Sequence, residues 1–177
     1  MTRVKDRPVS VIFVCSGNIC RSPMAEAIFA HLVEKAGLTD RFHIASAALG
    51  DWHVGETPHR GTLDVLRRHG VPPTAGKRAQ TVDAAMLARA DYIIAMGGEH
   101  VRELRAVYGD VIGGKASRLL DYWSTARMRD VPDPYYTGDY QEVYDLVEPA
   151  ARALLEHIRR RERLEAPADS ESLPRVP

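Results

Sequence analysis

Residues 11–23, Val-Ile-Phe-Val-Cys-Ser-Gly-Asn-Ile-Cys-Arg-Ser-Pro, constrain this chain more than any other stretch. The first four are apolar and mostly β-branched, the pattern of a buried strand. A compact polar loop follows, and residues 24–30, Met-Ala-Glu-Ala-Ile-Phe-Ala, read as a helix. Ser22 suits the N-cap of that helix, and Pro23 suits its first position, where a missing N–H costs nothing. A cysteine therefore leaves the end of a strand, and an arginine arrives at the start of a helix.

Consecutive backbone N–H groups in such a loop form an anion-binding nest, and the helix dipole adds to its positive field. Gly17 and Asn18 are the residue types that most easily take the positive φ angles a cradle of this kind uses. Arg21 adds a planar fork that matches two phosphate oxygens. A thiol at the mouth of this field is shifted toward thiolate, its reactive form. A lone cysteine beside a buried strand is more often an inert small hydrophobe. Here strand, loop, arginine and helix start agree, and the reading is a Cys15 nucleophile beneath a bound phosphate.

The run from Cys15 to Ala27 resembles the signature loop of the low-molecular-weight protein tyrosine phosphatases. The resemblance extends to residues 51–55 (Asp-Trp-His-Val-Gly), 90–96 (Ala-Asp-Tyr-Ile-Ile-Ala-Met) and 131–136 (Val-Pro-Asp-Pro-Tyr-Tyr), in the family's order. The loop and the Asp-Pro-Tyr-Tyr segment are its specific parts. It implies a phosphotyrosine hydrolase that works through a cysteinyl-phosphate on Cys15 and needs no cofactor or metal.

The remainder of the chain is compatible with that expectation. A length of 177 residues suits one globular domain, expected over 1–165, with a short polar tail at 166–177 expected to be disordered. Residues 1–7 are polar and expected to fray. The 24 basic and 24 acidic residues balance, so no net field favours nucleic acid or an acidic membrane. No apolar stretch is long enough for membrane insertion, and the first residues lack the apolar core of a signal peptide. Two cysteines five positions apart make a poor disulfide framework and fit a reducing cytoplasm. A monomer is expected.

Apolar periodicity gives strands at 11–14, 42–47, 92–96 and 117–120, with a further short one near 78–80. Helices are expected from about residue 22 to 35, then over 58–69, 82–89, 99–108 and 139–163, with 123–138 irregular. Strands alternating with helices imply an α/β fold: a central, mostly parallel four-stranded sheet with helices on both faces and the phosphate-binding loop after strand 1. Ligands in such sheets bind at the carboxyl ends of strands, where Cys15 falls.

In this chemistry the phosphate is held by the N–H groups of Ser16, Gly17, Asn18, Ile19, Cys20 and Ser22 together with Arg21. The resemblance makes Asp133 the general acid, then the base that activates water; by itself an Asp before Pro is usually a turn residue. Asp130 is the nearest rival, read instead as a surface partner of Arg127 or Arg129. The resemblance also gives Ser22 a second role as donor to the Cys15 sulfur, and pairs Asn18 with Ser46. Trp52, Tyr135 and Tyr136 are loop aromatics suited to stacking on a phosphorylated phenol. Ile19 resembles the tyrosine-specific members, whereas relatives acting on phosphoarginine tend to carry threonine there.

Cys20 is either a small buried residue or a redox partner that traps oxidised Cys15 as a disulfide, as in some members of the family. Gly97 stands where many members carry aspartate, and Leu49 where threonine is usual; both departures are expected to loosen the surroundings of the site. The histidines are scattered without metal-ligand spacing. Alternatives are an arsenate reductase or phosphoarginine phosphatase of the same fold, a phosphocysteine carrier, or a silent phosphotyrosine-binding module. A relay reductase needs a third thiol, a carrier needs neither Arg21 nor Asp133, and a silent module has lost Cys15 or Asp133.

Overall fold

The computed structural model describes residues 6–165; the expectations for 1–5 and for the tail at 166–177 lie outside the described residues. Among these described residues four strands form the sheet: β1 (Val9–Cys15), β2 (Phe42–Ala48), β3 (Tyr92–Ala95) and β4 (Ala116–Arg118). Every pairing is parallel and the order is β2-β1-β3-β4, so the expected mostly parallel sheet is wholly parallel. Among the described residues six α-helices accompany it: α1 (Arg21–Lys35), α2 (Arg60–Arg68), α3 (Ala84–Arg89), α4 (Gly98–Ile112), α5 (Pro134–Thr137) and α6 (Tyr140–Glu162).

The two-residue period of β1 divides its side chains between two cores. Val11, Phe13 and Cys15 pack with Met24 and Phe29 of α1 and with Val147 and Leu154 of α6. Ile12 and Val14 pack with Leu87 of α3 and with Val101 and Leu104 of α4. Both faces are buried, which is why residues 11–15 of β1, past the half-buried Ser10, read as a continuous apolar run and not as an alternating one.

This topology also places the site. The chain leaves β1 toward α1 on one face of the sheet and leaves neighbouring β3 toward α4 on the other. Two loops that diverge from adjacent parallel strands open a crevice at the strands' carboxyl ends, the topological switch point of an open α/β sheet. Cys15 is the last residue of β1, and its loop forms one lip of that crevice. The start of α4 forms the other.

Some elements differ from expectation for local reasons. Residues 78–80 form no strand; only Thr81 bridges to Ala48, because Ala79 exchanges backbone bonds with Gly55 and Glu56 while the Gln80 N–H donates to the Asn18 side chain. The last strand ends at Arg118, and Leu119–Tyr122 winds into a 3-10 turn. The helix expected from residue 58 begins at Arg60, capped by the His59 ring accepting from the Gly61 N–H. Helix α4 continues to Ile112 despite a non-helical Tyr108. Within the irregular 123–138 stretch, Asp133 caps the short α5, its Oδ1 accepting from the Tyr135 N–H at 3.1 Å.

Candidate active site

The loop between β1 and α1 folds around the Cys15 sulfur, which is almost entirely buried at the base of a cavity of about 700 Å³. The Asn18 N–H donates to Sγ at 3.3 Å, and the Ser22 hydroxyl lies 3.0 Å from it. Ser22 Oγ accepts from the Asn18 side-chain amide at 2.8 Å, and the second amide hydrogen goes to Ser46 Oγ at 2.9 Å. With its oxygen so engaged, the Ser22 hydroxyl has its own hydrogen left for the sulfur. The sulfur is therefore met by the Asn18 N–H and by the Ser22 hydroxyl, which has a hydrogen to offer it.

Two sequence expectations are corrected here. Ser22 does not cap α1: the helix begins at Arg21, two residues before Pro23, with Cys20 at the cap position and no side-chain cap, and the Ser22 hydroxyl bonds Cys15 and Asn18 instead. Asn18 has φ 57°, as expected, but Gly17 has no positive φ. At 17 glycine allows close approach instead: a Cβ there would lie 2.9 Å from His53 Cδ2, so the His53 ring would have to shift.

Behind the loop lies a buried charged network. Ser46 Oγ donates to Glu26 Oε2, and Lys77 Nζ lies 3.4 Å from the same oxygen while donating to the Ser46 carbonyl at 2.7 Å. Burial pushes the Glu26 carboxyl up and the Lys77 ammonium down, each opposed by the charge of the other. The hydrogen-bonded line from Cys15 through Ser22, Asn18 and Ser46 thus ends on an ion pair.

Arg21 is buried and held on two sides. Its Nη1 donates to the Val131 carbonyl at 3.1 Å; its Nη2 donates to Asp133 Oδ2 at 3.3 Å and to Ser16 Oγ at 3.4 Å. The arginine that starts α1 is thereby tied to the segment carrying Asp133. That segment is tied in turn to α4: Asp130 Oδ1 accepts from the Gly98 N–H at 2.8 Å and lies 3.6 Å from Arg118 Nη1. Asp130 was expected to pair with Arg127 or Arg129; it reaches Gly98 and Arg118 because α4 and β4 converge on its loop. A Cβ at Gly97 would lie 3.5 Å from the Asp130 carboxyl carbon, so Asp130, which accepts from the first N–H of α4, occupies the space beside this helix start. Leu49, the other departure, packs against the second core and donates its N–H to the Cys15 carbonyl at 3.0 Å.

The cavity is lined by residues 15–21 of the loop with Trp52, His53, Glu99, Asp133, Tyr135 and Tyr136. All three expected aromatics are there and strongly exposed, Trp52 at 71%, Tyr135 at 57% and Tyr136 at 84%, so a ligand ring has apolar surface to cover. The Tyr135 and Tyr136 rings meet edge to face at 5.6 Å. Cys20, the last residue of the loop, is buried with its sulfur 3.7 Å from the Tyr140 hydroxyl, and burial pushes its thiol up to about 11. Cys15 and Cys20 are both free thiols.

Sequence reasoning missed His53, Glu99 and His100. His53 lies within the 51–55 resemblance, but Glu99 and His100 follow β3 with no signal to set them apart from other helix-start residues. His100 Nε2 is 2.9 Å from Ser16 Oγ. The imidazole is buried, and burial together with the nearby Arg21 charge pushes its pKa down to about 4. Among the described residues, no cluster of His, Cys, Asp or Glu is arranged to hold a metal ion. No helix of the described residues is long and apolar enough to cross a membrane.

A thiol faced by two donors, an anchored guanidinium and a carboxyl group on the rim together define a site for nucleophilic chemistry on an oxyanion ester. Comparison with known proteins narrows that class. Residues 10–164 match the family described as low molecular weight phosphotyrosine protein phosphatase, and the chain belongs to it. The low molecular weight protein-tyrosine-phosphatase YfkJ of Bacillus subtilis is 46% identical over 156 residues, covering 88% of this chain and 99% of that protein. Its crystal structure superposes with a TM-score of 0.84 at 45% identity, over 87% of this chain and 96% of that one. The phosphatase PtpA of Staphylococcus haemolyticus is 39% identical, covering 85% and 94%. The crystal structure of the Drosophila arginine phosphatase DARP is similar at 30% identity, with a TM-score of 0.77 over 84% and 97%.

Proposed function

We propose that the protein hydrolyses phosphotyrosine in protein substrates through a phosphorylated Cys15. The observation that carries this reading is the Cys15 sulfur, facing the Ser22 hydroxyl at 3.0 Å at the base of a cavity walled by Arg21, Asp133 and three exposed aromatics. The phosphate sits in the cradle of the N–H groups from Ser16 to Ser22, and the Arg21 guanidinium binds two of its oxygens. Arg21 Nη2 already bonds Asp133 Oδ2, so an arriving dianion competes with the carboxyl group for the same edge. The phenol ring of the substrate stacks among Trp52, Tyr135 and Tyr136.

The Cys15 thiolate attacks phosphorus as the ester P–O bond breaks, and Asp133 gives its proton to the departing phenol oxygen. Asp133, now ionised, takes a proton from a water that attacks the cysteinyl-phosphate. The S–P bond breaks, and the departing thiolate is met by the Ser22 O–H and the Asn18 N–H. No cofactor or metal enters these steps.

Two free thiols suit a reducing compartment, and we assign the protein to the cytoplasm as a monomer acting on phosphotyrosine proteins. Peroxide that converts Cys15 to a sulfenic acid sets up attack by the Cys20 thiol, which forms a Cys15–Cys20 disulfide and releases water. Mass spectrometry of peroxide-treated protein reads the outcome; sulfinic Cys15 without the disulfide refutes this role.

The central test is phosphate release from a phosphotyrosine peptide with EDTA present, comparing the unaltered protein with Cys15→Ser. Release is expected from the first and not from the second. No release from fully reduced, unaltered protein would sink the assignment, and a parallel phosphoarginine substrate would then identify a hydrolase of the other specificity.

A further inference from the structure

Within the reading just given, Ser16 contributes only a backbone N–H and His100 contributes nothing. Yet His100 is 1% exposed, its Nε2 lies 2.9 Å from Ser16 Oγ, and its Nδ1 is a buried nitrogen with no hydrogen-bond partner. A buried orphan on a histidine one hydrogen bond from the side chain of a cavity-lining serine calls for an explanation.

The hydrogens can be assigned from their neighbours. Arg21 Nη2 can only donate, so Ser16 Oγ accepts from it at 3.4 Å. If Ser16 also donated to His100 Nε2, the imidazole proton would sit on Nδ1 as a buried N–H without an acceptor. Buried orphan N–H groups are rarer than under-satisfied acceptors. With the proton on Nε2, the orphan is only a lone pair. Glu99 Oε1, an acceptor, lies 3.6 Å from the same Nε2, which favours a hydrogen there as well. The low basicity of the buried ring keeps it neutral, with one hydrogen to place.

We propose that Ser16 is a substrate-contacting residue whose hydroxyl hydrogen points into the cavity, and that His100 is the positioning residue that turns it there by donating Nε2–H to Ser16 Oγ. The hydroxyl then accepts twice, from Arg21 and from His100, and has only its hydrogen left to offer. It offers that hydrogen beside the Arg21 edge that takes the phosphate, which adds a side-chain donor to the backbone cradle. This role rests on the phosphate-ester reading of the site, but it can be tested without turnover.

Binding of inorganic phosphate, measured by calorimetry, is the probe. Ser16→Ala and His100→Leu should each weaken it about tenfold, the loss expected for one hydrogen bond to a charged group. The double variant should be no weaker than either single one, and His100→Gln, whose amide keeps a donor near the Nε2 position, should recover most of the affinity. Additive losses, or an unchanged affinity in Ser16→Ala, would overturn the proposal. Nitrogen-15 NMR of the unaltered protein gives a second measurement that no misfolded variant can spoil: the His100 tautomer should carry its proton on Nε2, and a proton on Nδ1 overturns the assignment. Failure of the unaltered protein to bind phosphate would refute the phosphate-ester reading itself, a different result from normal binding that is indifferent to Ser16.

Discussion

Burial of His100 in the neutral state should make the fold sensitive to acid in a defined window. The imidazole is pushed from its ordinary 6.5 down to about 4 by burial and by the Arg21 charge. A group whose folded pKa lies below its unfolded value binds protons more tightly when unfolded. Its stabilising contribution is therefore complete above about pH 6.5 and is lost as pH falls toward about 4. For these two values, the loss between pH 7 and pH 4.5 is about 2 kcal/mol from this residue alone. Urea unfolding of the unaltered protein and of His100→Gln at both pH values isolates the term, because every other titrating group is common to the two proteins. The stability difference between them should shift in favour of His100→Gln by about 2 kcal/mol at the lower pH. An equal acid loss in both proteins would show that His100 protonates as easily in the fold as in the unfolded chain, and the reasoning from burial would be wrong.

Asp133→Asn should lower kcat on a phosphotyrosine peptide by about 10²- to 10⁴-fold, with a smaller loss on an aryl phosphate whose phenol leaves without a proton; steady-state kinetics on the two substrates checks the difference. Lys77→Met leaves Glu26 buried beside an apolar chain and should destabilise the fold by about 3–5 kcal/mol, while adding Glu26→Gln should recover much of it; denaturant midpoints of the three proteins measure this.

The signature loop could be read locally because its chemistry is local. Strand, nest, arginine and helix start lie within thirteen consecutive residues, and each acts through its immediate neighbours. The sheet was legible for a similar reason: a strand segment buried on both faces is apolar, as residues 11–15 of β1 and the whole of β3 are. Ser22 was misread as a cap because Ser before Pro is a cap signal by composition. Only the fold shows that its hydroxyl is spent on a sulfur seven residues back. The residues at 78–80 were misread because their backbone partners, Asn18, Gly55 and Glu56, come from other parts of the chain.

Asp133 shows how far local reading reaches. Taken alone it is a turn residue before proline, and resemblance singled it out; its contact with Arg21 spans 112 positions of chain. The same holds for Lys77 beneath Ser46, for Asp130 against Gly98, and for His100 behind Ser16. Each is an ordinary polar side chain until the sheet order β2-β1-β3-β4 sends the β1 and β3 loops to opposite faces and brings α4 to the lip of the crevice. The proposed nucleophile, its proposed cradle and the fold class follow from short-range pattern, because neighbouring residues share backbone geometry and a helix dipole. Which distant carboxylate, lysine and histidine complete the site is decided by packing, because Coulomb forces and hydrogen bonds depend on separation in space and not along the chain.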